Sequence, residues 1–302
     1  MKVSVVVPTQ RRPQSLERAL RSVLRQAFDP AQMELIVVDN DNAPSARAIV
    51  QAAAAKAPFP VIYVHEPRPG VASARNAAMA QVRAPFVAFL DDDEEAPQGW
   101  LGALVRAQAA FEADVVFGPV RGAAPQSAGW RRAYLERFFS REGPPFSCVI
   151  EQPYGCGCSL VRVAALPATA APFSLAQNRF GGEDDLLFAQ MKARGAHFAW
   201  APDAWVLEHP APERLTLRYA LRRAFAYGQG PAFAGWRRRD WPAVAFWMTV
   251  GAVQTPVYGG LAALKWLQGA PDRAFALDRA ARAAGKLLWF PPFKPSFYGL
   301  SG

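Results

Sequence analysis

Short unbroken apolar runs alternate with longer stretches in which apolar residues recur every three or four positions, and this pattern fills the first half of the chain. The run at 3–7 predicts a strand, and 15–26 a helix with Leu16, Ala19, Leu20, Val23 and Leu24 on one face. A second strand follows at 35–38, an alanine-rich helix over 46–57, a strand at 61–64, a helix over 72–82 and a strand at 86–90. A helix at 100–111 and a strand at 115–117 continue the series. Strands that alternate with helices require crossovers, so the pattern predicts an α/β fold with a mostly parallel sheet flanked by helices. Residues 121–152 are loop-rich around one or two short helices, and the Gly-Cys-Gly-Cys segment at 155–158 leads closely into a further strand, as one wall of an acceptor pocket.

In open sheets of this kind ligands bind beyond the carboxyl ends of the strands. Pro8 and Thr9 follow the first strand, Asp39 and Asn40 the second, and Asp91, Asp92 and Asp93 the strand ending at 90. The last three, with Glu94 and Glu95, have no basic neighbour for several residues on either side. Adjacent carboxylates repel, so they either stay in water or share a cation. Hard oxygen ligands favour Mg²⁺ or Mn²⁺, which assigns Asp91 and Asp93 to a metal. Glu94 and Glu95 read instead as solvated acids before the next helix. Asp39 lies in an Asp-Asn-Asp-Asn run that suits a plain turn as well as contact with a base or ribose. Arg75, the only cation in Pro-Gly-Val-Ala-Ser-Ala-Arg-Asn, pairs either with a phosphate or base carbonyl or with one of the aspartates.

A second acidic knot, Phe180-Gly181-Gly182-Glu183-Asp184-Asp185, opens a helix. One acid there serves as a cap, and three exceed that need, so a general base for a hydroxyl nucleophile is expected among them. His209 ends a strand over 204–208, either as a structural histidine or as a ligand for metal or phosphate. No glycine-rich dinucleotide fingerprint or Walker loop is present.

The net charge of +9 and pI near 9.8 call for an acidic partner. Arg218, Arg222, Arg223 and Arg237–239 are interleaved with Tyr219, Phe225, Tyr227, Trp236 and Trp241, which suits single-stranded nucleic acid or an anionic membrane surface. Nucleic acid is set aside, because the acids of the site repel phosphate in the absence of metal. Three cysteines, odd in number, fit a reducing compartment, and the apolar run at the start is too short for a signal peptide, so a cytoplasmic protein is expected.

Taken together the motifs resemble the family 2 glycosyltransferases, inverting enzymes of the GT-A fold. The matching residues are Val5-Val6-Val7-Pro8-Thr9, Val37-Val38-Asp39-Asn40, Ala74-Arg75-Asn76, the Asp-x-Asp signature Asp91-Asp92-Asp93, and Gly181-Gly182-Glu183-Asp184. More narrowly, Phe89-Leu90-Asp91-Asp92-Asp93-Glu94, Gly118-Pro119-Val120-Arg121 and 209–218 are similar to the succinoglycan-type glucosyltransferases of bacterial exopolysaccharide synthesis. The resemblance implies a nucleotide-sugar donor, with UDP-sugars favoured, held by Pro8, Thr9, Arg11, Asp39, Arg75, Asp91 and Asp92. It implies Mn²⁺ or Mg²⁺ at Asp93 and Asp91 with His209, and catalysis by Asp184 with Glu183 and Asp185 beside it. Relatives often carry a further acid two positions after the Asp184 equivalent; Leu186 stands there in this chain, which leaves the choice between Asp184 and Asp185 open. A sugar-phosphate nucleotidyltransferase and a non-catalytic nucleotide-sugar binder are the competing readings.

The division expected is a glycosyltransferase domain over 1–228 and a helical, apolar and aromatic extension over 229–302. Residues 241–264 are uncharged and long enough to span a bilayer, but Pro256 and paired glycines favour two short segments lying in the membrane interface. Core helices packed on the catalytic domain remain the other reading. A lipid-linked saccharide acceptor, and peripheral attachment to the inner face of the cell membrane, complete the expectation.

Overall fold

The computed structural model describes residues 2–178 and 182–295. Phe180 and Gly181 of the second acidic motif lie outside the described residues.

Each apolar run of the first half forms a strand, and each periodic stretch a helix. In chain order these are β1 (Val3–Thr9), α1 (Pro13–Leu24), β2 (Met33–Asp39), α2 (Arg47–Ala54), β3 (Val61–His65), α3 (Val71–Met79) and β4 (Phe86–Phe89). There follow β5 (Glu94–Glu95), α4 (Trp100–Phe111), β6 (Val115–Phe117), β7 (Val120–Gly122), α5 (Arg132–Phe139), β8 (Cys148–Ile150) and β9 (Ser159–Arg162). The last are α6 (Glu183–Ala193), β10 (Phe198–Trp200), β11 (Val206–Glu208), α7 (Leu217–Arg237), α8 (Trp241–Leu267) and α9 (Arg273–Leu287).

The described chain divides into two compact units, residues 1–121 with 140–209, and residues 122–139 with 210–302. Residue 228, where the sequence expectation divides the chain, lies inside α7.

In the first unit eight strands form a sheet of order β3-β2-β1-β4-β9-β6-β10-β8. Pairing is parallel from β3 through β4 and between β6 and β10; β9 runs antiparallel to both its neighbours, and β8 is an antiparallel edge. Alternate strand residues serve opposite faces. Val5, Val7, Leu35, Val37 and Ala88 pack with Leu16 and Leu20 of α1, Val50 of α2, and Trp100 and Leu104 of α4. Val6, Ile36, Val38, Val87 and Phe89 pack with Ala72 and Ala78 of α3 and with Leu187, Phe188 and Met191 of α6. Burial on both faces is why these strands are continuous apolar runs without polar alternation.

The register sets the site. Thr9 is paired with Asp39 and Asp39 with His65, while Val6 is paired with Phe89, so the chain leaving β4 emerges beside Thr9 and Asp39. A second sheet of order β5-β11-β7 pairs Glu208 with Glu94 and brings the end of β11 to the loop after β4.

The second unit is helical. Its core joins Tyr134 and Leu135 of α5, Ala220 of α7 and Ala274 of α9, and Tyr134 donates a hydrogen bond of 3.0 Å to Asp278. Gly228 and Gly285 let α7 and α9 touch: a Cβ at either would stand 2.1 Å from a carbonyl oxygen of the opposite helix, that of Arg282 or Phe225. The two short segments expected over 241–264 are a single 27-residue helix, α8. Pro256 removes one backbone donor without ending it, and Gly259 and Gly260 face open space where no neighbour forces a bend. Among the described residues no helix is long and apolar enough to cross a membrane.

Candidate active site

At the carboxyl edge of the sheet, Thr9 donates its hydroxyl to Asp92 Oδ2 at 2.7 Å. Asp39 is fully buried and accepts from the Ala46 amide at 2.7 Å, the Tyr63 hydroxyl at 2.9 Å and Ser45 at 3.3 Å. Burial, together with the bond to Asp39, pushes the Tyr63 hydroxyl up to about 12. The aspartate thereby folds the 40–46 turn back on the sheet end. Asn40 ties this turn to the next one, donating to the carbonyls of Glu66 and Arg68 and accepting from the Gly70 amide. Gly70 has φ of 123°, and a Cβ there would overlap Asn178, so the entry to α3 is reserved for glycine. Pro8 is a β1 residue paired with Val38, and Arg11, with φ of 55°, gives its Nε to Asp41 at 2.8 Å.

The acidic loop after β4 is held by cations. Arg12 Nη1 lies 3.0 Å from Asp92 and 3.2 Å from Asp93. Burial lifts the Asp92 carboxyl to about 6, against the pull of Arg12. Asp91, about one third exposed, accepts from Arg75 Nη2 at 3.2 Å. Glu94 departs from the expectation of a solvated acid: it is 1% exposed in β5, accepts the Asp91 amide at 3.0 Å and lies 3.4 Å from Arg141. Pairing of β5 with β11 carries it inward, where burial raises its carboxyl well above the usual range and Arg141, also 3.7 Å from Glu208, compensates. Glu95 remains more exposed and sits 3.1 Å from His209 Nε2. Burial and Arg18 lower the affinity of His209 for protons, against the pull of Glu95.

The second acidic knot arrives at the same place. Glu183, Asp184 and Asp185 form the first turn of α6 after Gly182, whose φ is 82°. Arg75 Nη1 meets Glu183 at 2.5 Å with both side chains 5% exposed, so one guanidinium spans Glu183 and Asp91, 92 residues apart in sequence. Asp184 accepts the Cys156 amide at 3.0 Å through Oδ2 and the Asp185 amide at 2.9 Å through Oδ1. Burial and the neighbouring Asp184 raise the Asp185 carboxyl. Between the acids runs the glycine-cysteine segment: a Cβ on Gly155 would lie 3.4 Å from Asp184, and one on Gly157 only 2.7 Å from both Asp91 and Glu94. The small residues at 155–158 are thus a backbone wall packed between the two knots.

Among the described residues no three acids, cysteines or histidines stand at metal-ligand spacing. Arginines occupy the carboxylates: Arg12 on Asp93, Arg75 on Asp91. The donor chemistry nevertheless fits a hard divalent cation, with carboxylates at Asp91 and Asp93 and the imidazole of His209, whose backbone amide donates to the Asp93 carbonyl at 2.7 Å. Sequence reasoning singled out Arg11, read Glu94 as a solvated acid, and passed over Arg12, Arg141 and Glu208. The adjacent arginines offered no pattern to separate them, and Arg141 stands in the loop-rich segment that periodicity leaves unread.

Comparison with known proteins gives a consistent set of likenesses. Residues 4–168 match the model of Glycosyl transferase family 2. The chain is 35% identical over 229 residues to the succinoglycan biosynthesis protein ExoM of Rhizobium meliloti (strain 1021), a match covering 75% of this chain and 73% of ExoM. Its fold is similar to that of the mannosyltransferase PcManGT from Pyrobaculum calidifontis, solved with GDP-Man and Mn²⁺, with a TM-score of 0.61 and 19% identity over 95% of this chain and 87% of that one. It is similar as well to S. aureus TarS 1-349 solved with UDP-GlcNAc, with a TM-score of 0.56 and 18% identity over 95% and 90% of the two chains.

Proposed function

The chain belongs to glycosyl transferase family 2, and from that premise we propose that it moves a sugar from a nucleotide-sugar donor, a UDP-sugar in the first instance, to a hydroxyl of a lipid-linked saccharide with inversion at the anomeric carbon. The observation that carries this reading is the bridge made by Arg75, which holds the Asp91 loop and the first turn of α6 together and so sets Asp184 beside the donor edge. Thr9, Asp39 and Asn40 shape the floor on which the nucleotide lies, and Asp91 and Asp92 border it.

Asp184 is the base. Its two oxygens are oriented by the Cys156 and Asp185 amides, and Glu183 beside it is committed to Arg75, which leaves Asp184 to accept the proton of the acceptor hydroxyl on a remaining lone pair as the hydroxyl oxygen attacks the anomeric carbon. Attack comes from the face opposite the leaving nucleoside diphosphate, hence inversion. Asp91, Asp93 and His209 would hold Mn²⁺ or Mg²⁺, which when bound neutralises charge on the diphosphate. Arg12 lies against Asp93 and Arg75 against Asp91, which offsets the mutual repulsion of the carboxylates. The ExoM name places that relative in succinoglycan biosynthesis, and a role in exopolysaccharide assembly at the inner face of the cell membrane is proposed here by extension.

Thermal-shift screening of UDP-, GDP- and dTDP-sugars with and without Mn²⁺ tests the reading. A ligand binding the native state at about a hundred times its Kd adds about 2.7 kcal/mol, so the melting temperature is expected to rise when nucleotide and metal are both present and to move little with either alone. A shift with sugar phosphate and nucleoside triphosphate instead favours a nucleotidyltransferase. Binding without transfer to any acceptor or to water favours a non-catalytic binder.

A further inference from the structure

The apolar side chains of α8 point the wrong way for a helix of a water-soluble bundle. Its buried positions are small, Val244, Gly251 and Ala262, whereas Phe246, Val253, Val257 and Leu264 are each more than half exposed. They are spaced 7, 4 and 7 residues apart, so they stack on one face. Small residues explain the inward side: a Cβ on Gly251 would lie 2.9 Å from Lys286 of α9, and the two helices pack too closely for larger groups. From Trp241 to Leu264 no residue is charged, and at 1.5 Å per residue the outward apolar strip from Phe246 to Leu264 is about 27 Å long. Such a strip is larger than isolated surface apolar residues require.

Charge says what covers it. Residues 210–302 hold thirteen Lys and Arg against four Asp and Glu, whereas residues 1–209 hold twenty-one of each, so the whole net charge of +9 resides in the C-terminal stretch. Exposed Arg237, Arg238 and Arg239 immediately precede the strip and Lys265 closes it. An apolar strip with cations at its ends is the arrangement an anionic lipid headgroup layer accepts. We propose that α8 lies in the plane of an anionic lipid leaflet with Phe246, Val253, Val257 and Leu264 among the acyl chains and the adjoining arginines on lipid phosphates. The proposal deepens the membrane attachment put forward above and does not depend on the sugar chemistry.

Co-sedimentation with vesicles tests it, using phosphatidylglycerol mixed with phosphatidylcholine, or phosphatidylcholine alone, and no donor. The wild-type chain is expected to bind the anionic vesicles, more weakly at high salt. Val253→Asp/Val257→Asp is expected to lose binding about tenfold or more while keeping the thermal shift given by nucleotide and Mn²⁺. Arg237→Gln/Arg238→Gln/Arg239→Gln, which leaves the strip intact, is expected to lower binding to anionic vesicles and not to neutral ones. Undiminished vesicle binding by the double aspartate variant overturns the proposal. So does a wild-type chain that ignores vesicles and sediments as a dimer that this variant dissociates, because the strip is then covered by a second copy. Lost vesicle binding with sugar transfer to a soluble acceptor preserved separates this surface from the catalytic reading.

Discussion

Arg75 is the residue on which both acidic segments depend, since its guanidinium is buried against Glu183 on one side and Asp91 on the other. Removing one member of a buried ion pair strands the others, at a cost of about 3–5 kcal/mol. Arg75→Ala is therefore expected to lower unfolding stability by that order in urea titrations, and the double change with Glu183→Gln to recover part of it, because the stranded acid is gone. Gly157 carries a different prediction. Its Cβ position is filled by the carboxylates of Asp91 and Glu94, so Gly157→Ala displaces Asp91 and is expected to reduce kcat/KM about tenfold or more with a folded chain by circular dichroism. At the rim of the site, Arg68 donates to Glu66 and holds its carboxyl below the usual range against the opposing effect of burial. A carboxyl lowered in the folded state stabilises above its unfolded value, about 4.3, and loses that contribution as pH falls through the lower folded value. The melting temperatures of wild type and Arg68→Ala are thus expected to differ at pH 7 by a small margin, Arg68 being 73% exposed, and to converge in acid.

Helices and strands were the most legible level. The runs at 3–7, 35–38 and 86–90 are strands because burial on both faces demands uninterrupted apolar residues, and the periodic helices between them carry one apolar face for the same reason. Glu94 was not legible: a two-residue strand has no periodicity, and only its pairing with β11, more than a hundred residues later, takes the acid out of water. The same limit hid Arg12 and Arg141, whose partners are fixed by tertiary approach. In α8 the local signal was present and misleading, since Pro256 and paired glycines weaken a helix that packing against α9 sustains. That packing makes a prediction of its own. Gly228→Ala, which sets a Cβ 2.1 Å from the Arg282 carbonyl, is expected to destabilise by about 1–3 kcal/mol in urea. Gly259→Ala, with nothing within 4 Å, is expected to gain about 0.5–1 kcal/mol from helix propensity alone.

At the scale of the molecule, chemistry and charge are separated along the chain. The first unit gathers the acids at one sheet edge, and the residues from 210 onward carry the positive charge and the apolar strip. Sequence placed the two acidic knots in order but not their distance; the parallel register and the small residues at 155–158 bring them together, so that Asp184 and Asp91 border one backbone wall. That convergence is the basis of the proposed transfer, and Asp184→Asn probes it at the reacting atom. The amide keeps an oxygen for the Cys156 N–H and cannot accept the proton of an attacking hydroxyl. The direct measurement is sugar transfer, compared between wild type and Asp184→Asn after confirming that both give the same nucleotide-dependent thermal shift. Loss of transfer by about a hundredfold or more with binding intact is predicted; turnover within a few fold of wild type would contradict the assignment of Asp184 as the base.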